Sequence, residues 1–284
     1  MGLPPAKVLL IDLDPQGNCA TSFGIEKKKI KKTAYDLLTN DLGEELPLME
    51  EYLLSPEDLT NSMRNAWMLR NEKGRPPKTL TTENLWLLPS DIHLSGAEIE
   101  LAHKIGRETR LKEALAPIVD QFDYIIIDTP PSLGLLSINA LSAANWVMVP
   151  VQAEYYSLEG FSMLMNSIKM IQRRINRNLK IFGVVMTMVD ARSKLSRHVC
   201  DQVALNIPNK LFNTSVRRLV NVAEAPWSGA PTVLLNKPTS SGAGAGSLEY
   251  WTLAREFHQR VQDMRQQFGV VEESRVLRDA QGRR

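Results

Sequence analysis

Short runs of apolar, largely β-branched residues punctuate the chain, and several end abruptly in a carboxylate or a turn former. The clearest is Ile125-Ile126-Ile127, which runs into Asp128-Thr129-Pro130-Pro131. No polar residue interrupts it, so it predicts a strand buried on both faces. The two prolines lack backbone donors and force the chain to turn. Val8-Leu9-Leu10-Ile11 repeats the pattern and leads into Asp12-Leu13-Asp14-Pro15-Gln16-Gly17-Asn18, which predicts a strand over residues 7–14 and then a turn. Further strands are predicted over 85–88, ended by Pro89, and as buried strands over 146–151 and 181–189. Helical spacing falls between them. Residues 33–39 form a short helix with Thr33 as its cap and Leu37 and Leu38 inward. Others start near 95–103 and span 108–122, 158–175 and 248–268; in the last, Phe257, Val261, Met264 and Phe268 share one face. Residues 43–82 are the least regular, with a polar, Pro-containing loop over 71–78. The alternation predicts an α/β fold, a mainly parallel sheet flanked by helices on both faces.

Two strands that each deliver acid to the same sheet edge suggest chemistry. Open α/β sheets bind ligands at the carboxyl ends of their strands, and carboxylates there commonly hold Mg²⁺ beside nucleotide phosphates. Asp12, Asp14 and Asp128 are the candidates. Spacing alone leaves open which of Asp12 and Asp14 orients a water and which supports a metal-bound one. A phosphate site also needs a Gly-rich loop with a lysine, and no G-x-x-x-x-G-K-[ST] occurs in the 284 residues. Ser240-Ser241-Gly242-Ala243-Gly244-Ala245-Gly246-Ser247 has no lysine in the required place and reads as a flexible loop entering a helix.

Composition narrows the classes. A net charge of +2 gives no global signal for polyanions, so any nucleic-acid contact must be a local patch. The run Lys27-Lys28-Lys29-Ile30-Lys31-Lys32 reads as a solvated loop. Cys19 and Cys200 suggest no disulfide framework, fit a reducing compartment, and have no metal-ligand company in sequence. No apolar stretch approaches the ~20 residues of a membrane span, and Met1-Gly2-Leu3-Pro4-Pro5 lacks the marks of a signal peptide.

The segments 9–21 (LLIDLDPQGNCAT), 124–132 (YIIIDTPPS, continuing through Gly134, Asn139, Ala140 and Leu141), 149–160 (VPVQAEYYSLEG) and 211–229 (LFNTSVRRLVNVAEAPWSG) together resemble the ParA/Soj partition ATPases, the deviant-Walker or SIMIBI class of P-loop proteins. The likeness covers about residues 7–265 in order. It implies ATP and Mg²⁺ as cofactors, an ATP-dependent homodimer that binds DNA nonspecifically, and a ParB-type partner that stimulates hydrolysis. A cytoplasmic, nucleoid-associated protein with no membrane contact follows. By matching position, Asp14 would be catalytic, Asp12 and Asp128 would hold the metal, Pro226 would lie near the adenine, and Arg218, with Arg217 beside it, would touch DNA.

The chain departs from the family pattern at its start. The family's first strand, phosphate loop and first helix should precede Lys7, so an N-terminally incomplete domain over 1–268 is expected, followed by a polar tail over 269–284. Such a chain would hydrolyse ATP poorly. Arg217 stands where proline is frequent and Asn221 where a basic residue is, and the 43–82 stretch is longer than in compact members. Two alternatives remain open: a positioning ATPase for another intracellular cargo, and a nucleotide-free adaptor or decayed paralogue.

Overall fold

The structure is a computed structural model; it describes residues 5–40, 49–71, 75–155, 157–207 and 209–281, with side chains described as far as 266. Five strands alternate with helices: β1 (Val8–Asp12), α1 (Asn18–Ser22), α2 (Ala34–Thr39), α3 (Pro56–Arg70), β2 (Leu85–Leu88), α4 (Leu94–Leu101), α5 (Arg110–Leu115), α6 (Leu135–Ala143), β3 (Tyr124–Asp128) preceding α6, and β4 (Trp146–Gln152) following it. Then come α7 (Ser157–Arg174), β5 (Lys180–Thr187), α8 (Lys194–Asn206), α9 (Val220–Ser228), α10 (Thr232–Leu235) and α11 (Ala245–Gln281).

All the strand pairs are parallel, as expected of buried α/β runs, but they form two sheets. One has the order β2-β1-β3, the other pairs β4 with β5. In the first, Ile11 aligns with Ile127 and Asp12 with Asp128, so the two carboxylates leave adjacent strands side by side. Among the described residues, β3 pairs only with β1 and β4 only with β5.

This corrects one expectation. β3 is not buried on both faces: Ile126 is 47% exposed, and Met148 of β4 is 40% exposed. Each of these strands is an edge of its sheet, and its uncovered face is left to solvent. β1 is interior by contrast. Leu9 and Ile11 pack into a core with Leu37, Leu38, Leu94, Leu111 and Leu136, while Leu10 joins Phe23, Leu59, Met63 and Leu87 on the other face.

Among the described residues, α6 and α11 each touch both sheets. α6 contributes Leu136 and Ala140 to the first core and Leu141 to the second. Its end is fixed by Asn176, whose Nδ2 donates to the carbonyls of Leu141 and Ala144 at 2.9 and 2.8 Å. Asn139, fully buried, donates to the Arg107 and Leu135 carbonyls and accepts the Leu111 N–H, so α5 and α6 are locked without an orphaned polar atom. α11 lays Leu253, Phe257, Val261 and Met264 on Phe182, Val185 and Phe212 beneath β5. It also reaches β3, where Phe257 meets the Tyr124 ring at 5.9 Å and His258 Nδ1 lies 3.1 Å from the Tyr124 hydroxyl. The apolar face predicted for this helix thus packs on the domain; Phe268 falls outside the described side chains.

Local chemistry explains the boundaries. Thr33 caps α2 through a reciprocal box with Asp36, and Leu37 and Leu38 are buried as expected. The 43–82 stretch is less irregular than its periodicity suggested. It holds the 15-residue α3, started by a Ser55–Asp58 capping box with Pro56 in the first turn. The helix expected over 108–122 is only α5 and a short 3-10 turn at Val119–Gln121. Gly242–Gly244 is a 3-10 turn entering α11, which runs on to Gln281 rather than ending near 268.

Candidate functional site

The carboxyl ends of β1 and β3 build one acidic site. Asp12, at the end of β1, is fully buried; its Oδ1 accepts the Asp14 N–H at 3.0 Å and its Oδ2 the Cys19 N–H at 3.1 Å. One carboxylate therefore folds the segment 12–19 back on itself. Asp14 continues the turn: its Oδ1 accepts the Gln16 N–H at 2.9 Å, and its carbonyl takes the Gly17 N–H and the Ser90 hydroxyl. Gly17 sits in the left-handed region at φ 58°, and a Cβ there would come within 2.9 Å of the Ser90 carbonyl. Glycine takes that corner without strain, and a side chain there would not. Asp128 follows from β3 and accepts a hydrogen bond from Cys19 Sγ at 3.6 Å.

Electrostatics mark the cluster. Burial raises the Asp12 carboxyl above its ordinary range, and the Asp128 charge adds to this against the two backbone N–H bonds. Protein crowding around the Asp128 carboxylate raises it likewise, with the Asp14 charge contributing. Burial, then the two aspartates, pushes the Cys19 thiol up. Among the described residues no lysine or arginine forms an ion pair with Asp12 or Asp128. Two carboxylates short of a counter-charge suit a divalent cation.

A pH dependence follows. With folded-state values above the ordinary 3.8, the fold favours the neutral acids; that benefit is full below 3.8 and is lost as pH rises through the raised values. Asp128→Asn should therefore raise the melting temperature of the metal-free chain at pH 7 by roughly 1–2 °C, a small figure because the residue is open to solvent. Thermal melts from pH 3.5 to 7 check the sign: the gap must shrink as pH falls.

The sequence reading missed three residues here. Lys27, placed in a solvated loop, reaches back to donate to the Gln16 carbonyl. Ser90 is fully buried and holds the Asp14 turn. Cys19 was read as lacking metal-ligand company, yet Asp12, Cys19 and Asp128 each offer a ligand atom within 4.8 Å of the others. No spacing rule links positions so far apart in the chain; only the β1–β3 register brings them together.

The remaining candidates lie elsewhere. Pro226 is inside α9, which packs on α1 and α3, and beside it Trp227 is 73% exposed with the Arg70 guanidinium 5.8 Å from its ring. Arg217 pairs in parallel with Val189 after β5, so the Arg217-Arg218 segment lies beside the stretch that carries Arg192 and Lys194. Neither arginine is free. Arg217 bonds Glu249 through its backbone and side chain, and Arg218 Nη2 pairs with Glu154 Oε1 at 2.5 Å.

Comparison with known proteins agrees with this architecture. The family model described as an AAA domain matches residues 4–181. The sporulation initiation inhibitor protein Soj of Bacillus subtilis is 41% identical over 250 residues, which is 88% of this chain and 85% of that protein. The chromosome partitioning protein ParA of Myxococcus xanthus is 36% identical over 254 residues, 89% of this chain and 78% of that one. Among solved structures, cobyrinic acid a,c-diamide synthase from Mycobacterium smegmatis with bound ADP and magnesium superposes with a TM-score of 0.60 at 32% identity, covering 79% of this chain and 78% of that one. Apo McdA of Cyanothece gives 0.65 at 25% identity over 86% and 87%. With α/β architecture, acidic strand ends and these relatives in agreement, the chain belongs to the ParA/Soj family of partitioning ATPases, ATP-binding proteins of the P-loop NTPase class.

Proposed function

We propose that the protein is the ATPase of a DNA-partitioning system: an ATP-loaded homodimer that holds DNA without sequence preference and is released when a ParB-type partner stimulates hydrolysis. The carrying observation is the convergence of Asp12, Asp14 and Asp128 at the ends of adjacent parallel strands, in a chain whose similar relatives are named for chromosome partitioning. Those names favour DNA over another intracellular cargo, and the intact acidic site argues against a nucleotide-free adaptor.

In this reading Asp12 and Asp128 would hold Mg²⁺, which would supply positive charge beside the phosphates. Asp14 orients the attacking water and takes its proton. Asp12 also fixes the Asp14 turn through its two backbone bonds, so the water-positioning carboxylate is held before substrate arrives. Pro226 on α9 would lie near the adenine. No G-x-x-x-x-G-K-[ST] loop, the usual cradle for the phosphates, occurs in these 284 residues. The 284-residue polypeptide is therefore expected to bind Mg–ATP weakly, and equilibrium dialysis with labelled ATP measures this directly; micromolar binding would refute it.

DNA binding is assigned to Arg218 and Arg217 through phosphate contacts. Because Glu154 already occupies Arg218, DNA must displace it. Glu154→Gln should therefore strengthen binding severalfold, and Arg218→Ala should weaken it on every duplex and lower the log–log salt slope by roughly 0.9. Titrations of two unrelated duplexes at two salt concentrations test both; unchanged affinity in the pair of variants removes this surface from the DNA interface.

A further inference from the structure

We propose that the outer face of α7 docks an acidic, amphipathic helix of a partner protein. The inference is independent of the nucleotide and DNA readings. It starts from the two faces of this helix. Phe161, Ile168 and Ile171 are buried in the core over β4 and β5, which seats the helix. That leaves Met163, Asn166, Met170 and Arg173 exposed along one outward line, at i, i+3, i+7 and i+10. Lys169 and Arg174 flank the line on either side. Met163 is 64% exposed and Met170 54%. Single exposed apolar residues are ordinary. Two on one line, about 10 Å apart along the axis, make a ridge. Methionine is unbranched and adapts to the side chains it meets, which suits a docking surface.

Charge identifies the occupant. Lys169, Arg173 and Arg174 surround Met170, and Arg177 follows just past the helix. Among the described residues none of the four forms an ion pair. Glu159 is the one acid in α7 and stands at the opposite end. Arg173 and Arg174 also suit the carboxyl end of a helix, where cations meet the negative end of the dipole. That accounts for two of the four charges and for neither methionine. The stems of Lys169 and Arg173 widen the apolar ridge while their heads stay free for carboxylates. Asn166, Lys169, Met170, Arg173 and Arg174 line one hollow of about 440 Å³, which has room for a large apolar side chain. A helix with apolar anchors three and four residues apart and acids beside them complements both features.

The same cations would also attract phosphates, and the methionines decide between the two. Nucleic-acid backbones are held by cations and polar donors, and a duplex on this face would press its charged backbone on Met163 and Met170. The position agrees. Arg218 reaches Glu154, ahead of the first turn of α7, whereas residues 169–177 begin about 18 Å further along the helix.

The probe is a fluorescein-labelled model helix about five turns long, with leucines on one face and glutamates elsewhere, set against a scramble of the same residues. Anisotropy titrations use the chain as wild type, Met163→Ser/Met170→Ser and Lys169→Glu/Arg173→Glu. All four positions are exposed, and circular dichroism melts check that each variant folds. Wild type should bind the amphipathic peptide and not the scramble. Each double variant should weaken binding at least about tenfold, the worth of two partly buried side chains. A peptide with lysine in place of glutamate should bind Lys169→Glu/Arg173→Glu better than wild type. No binding to wild type, equal binding of the scramble, or an affinity unmoved by the methionine pair overturns the proposal. A DNA duplex titrated in parallel overturns it too, if Lys169→Glu/Arg173→Glu weakens duplex binding and leaves the peptide unmoved. Sedimentation tests the last occupant: self-association that Met163→Ser/Met170→Ser abolishes would assign this face to a second copy of the chain and overturn the acidic partner.

Discussion

Asp14→Ala is expected to lower ATP turnover by at least about a hundredfold, the usual worth of a positioned general base, while nucleotide affinity changes little. The turn that carries Asp14 is over-determined. Asp12 takes its N–H, and Gly17 and Ser90 both donate to its carbonyl. Those bonds belong to the Asp14 backbone and persist in the alanine variant. What the variant loses is the carboxylate and its one bond to the Gln16 N–H. Asp14→Asn separates the two losses, because the amide oxygen still accepts that N–H but cannot take a proton. Phosphate release at saturating Mg–ATP and fluorescent-nucleotide binding give the result. Recovery of turnover in Asp14→Asn would reduce Asp14 to a turn former.

Gly17→Ala carries the largest expected loss of stability. A non-glycine residue in the left-handed region costs about 1–2 kcal/mol, and the added Cβ would sit 2.9 Å from the Ser90 carbonyl and 3.2 Å from Lys27 Cε. The lysine can swing away; the carbonyl belongs to a fully buried residue and cannot. Together these suggest about 3 kcal/mol, or a melting temperature lowered by roughly 6–12 °C. Gly242 is the control, with φ 65° but nothing within 4 Å of a Cβ, so its alanine variant should lose only the backbone part. Equal losses for the two variants would show that the Ser90 contact is relieved at no cost.

Much of this protein can be read from its residues. Apolar runs ending in acid located β1 and β3 and placed Asp12, Asp14 and Asp128 on one edge. Thr33 gave the start of α2 because its reciprocal partner Asp36 lies three residues on. The same logic, applied to Ser55 and Asp58, would have found α3; the weak apolar period of that helix hid it. Ile126 misled because an uninterrupted run says only that a strand is apolar, not that anything covers its second face. Lys27, Ser90 and Cys19 were beyond reach for another reason. Each acts through a contact set by tertiary register or chain reversal, which leaves no periodic trace. The ion pairs of Arg217 and Arg218 were likewise invisible, since their partners lie 32 and 64 residues away.

The division of the strands into two sheets has a kinetic consequence. Parallel pairing makes each sheet one cooperative unit, and among the described residues α6 and α11 carry packing from one to the other. Opening at that seam breaks no ladder hydrogen bond, so it need not wait for either unit to melt. Amide exchange should therefore divide the molecule in two. β1, held between β2 and β3, protects longest in one unit, and β5, covered on both faces, in the other. The outward amides of β3 and β4 should exchange early, though both strands lie mid-chain. The packing of α6 and α11 then sets the rate at which the two halves separate.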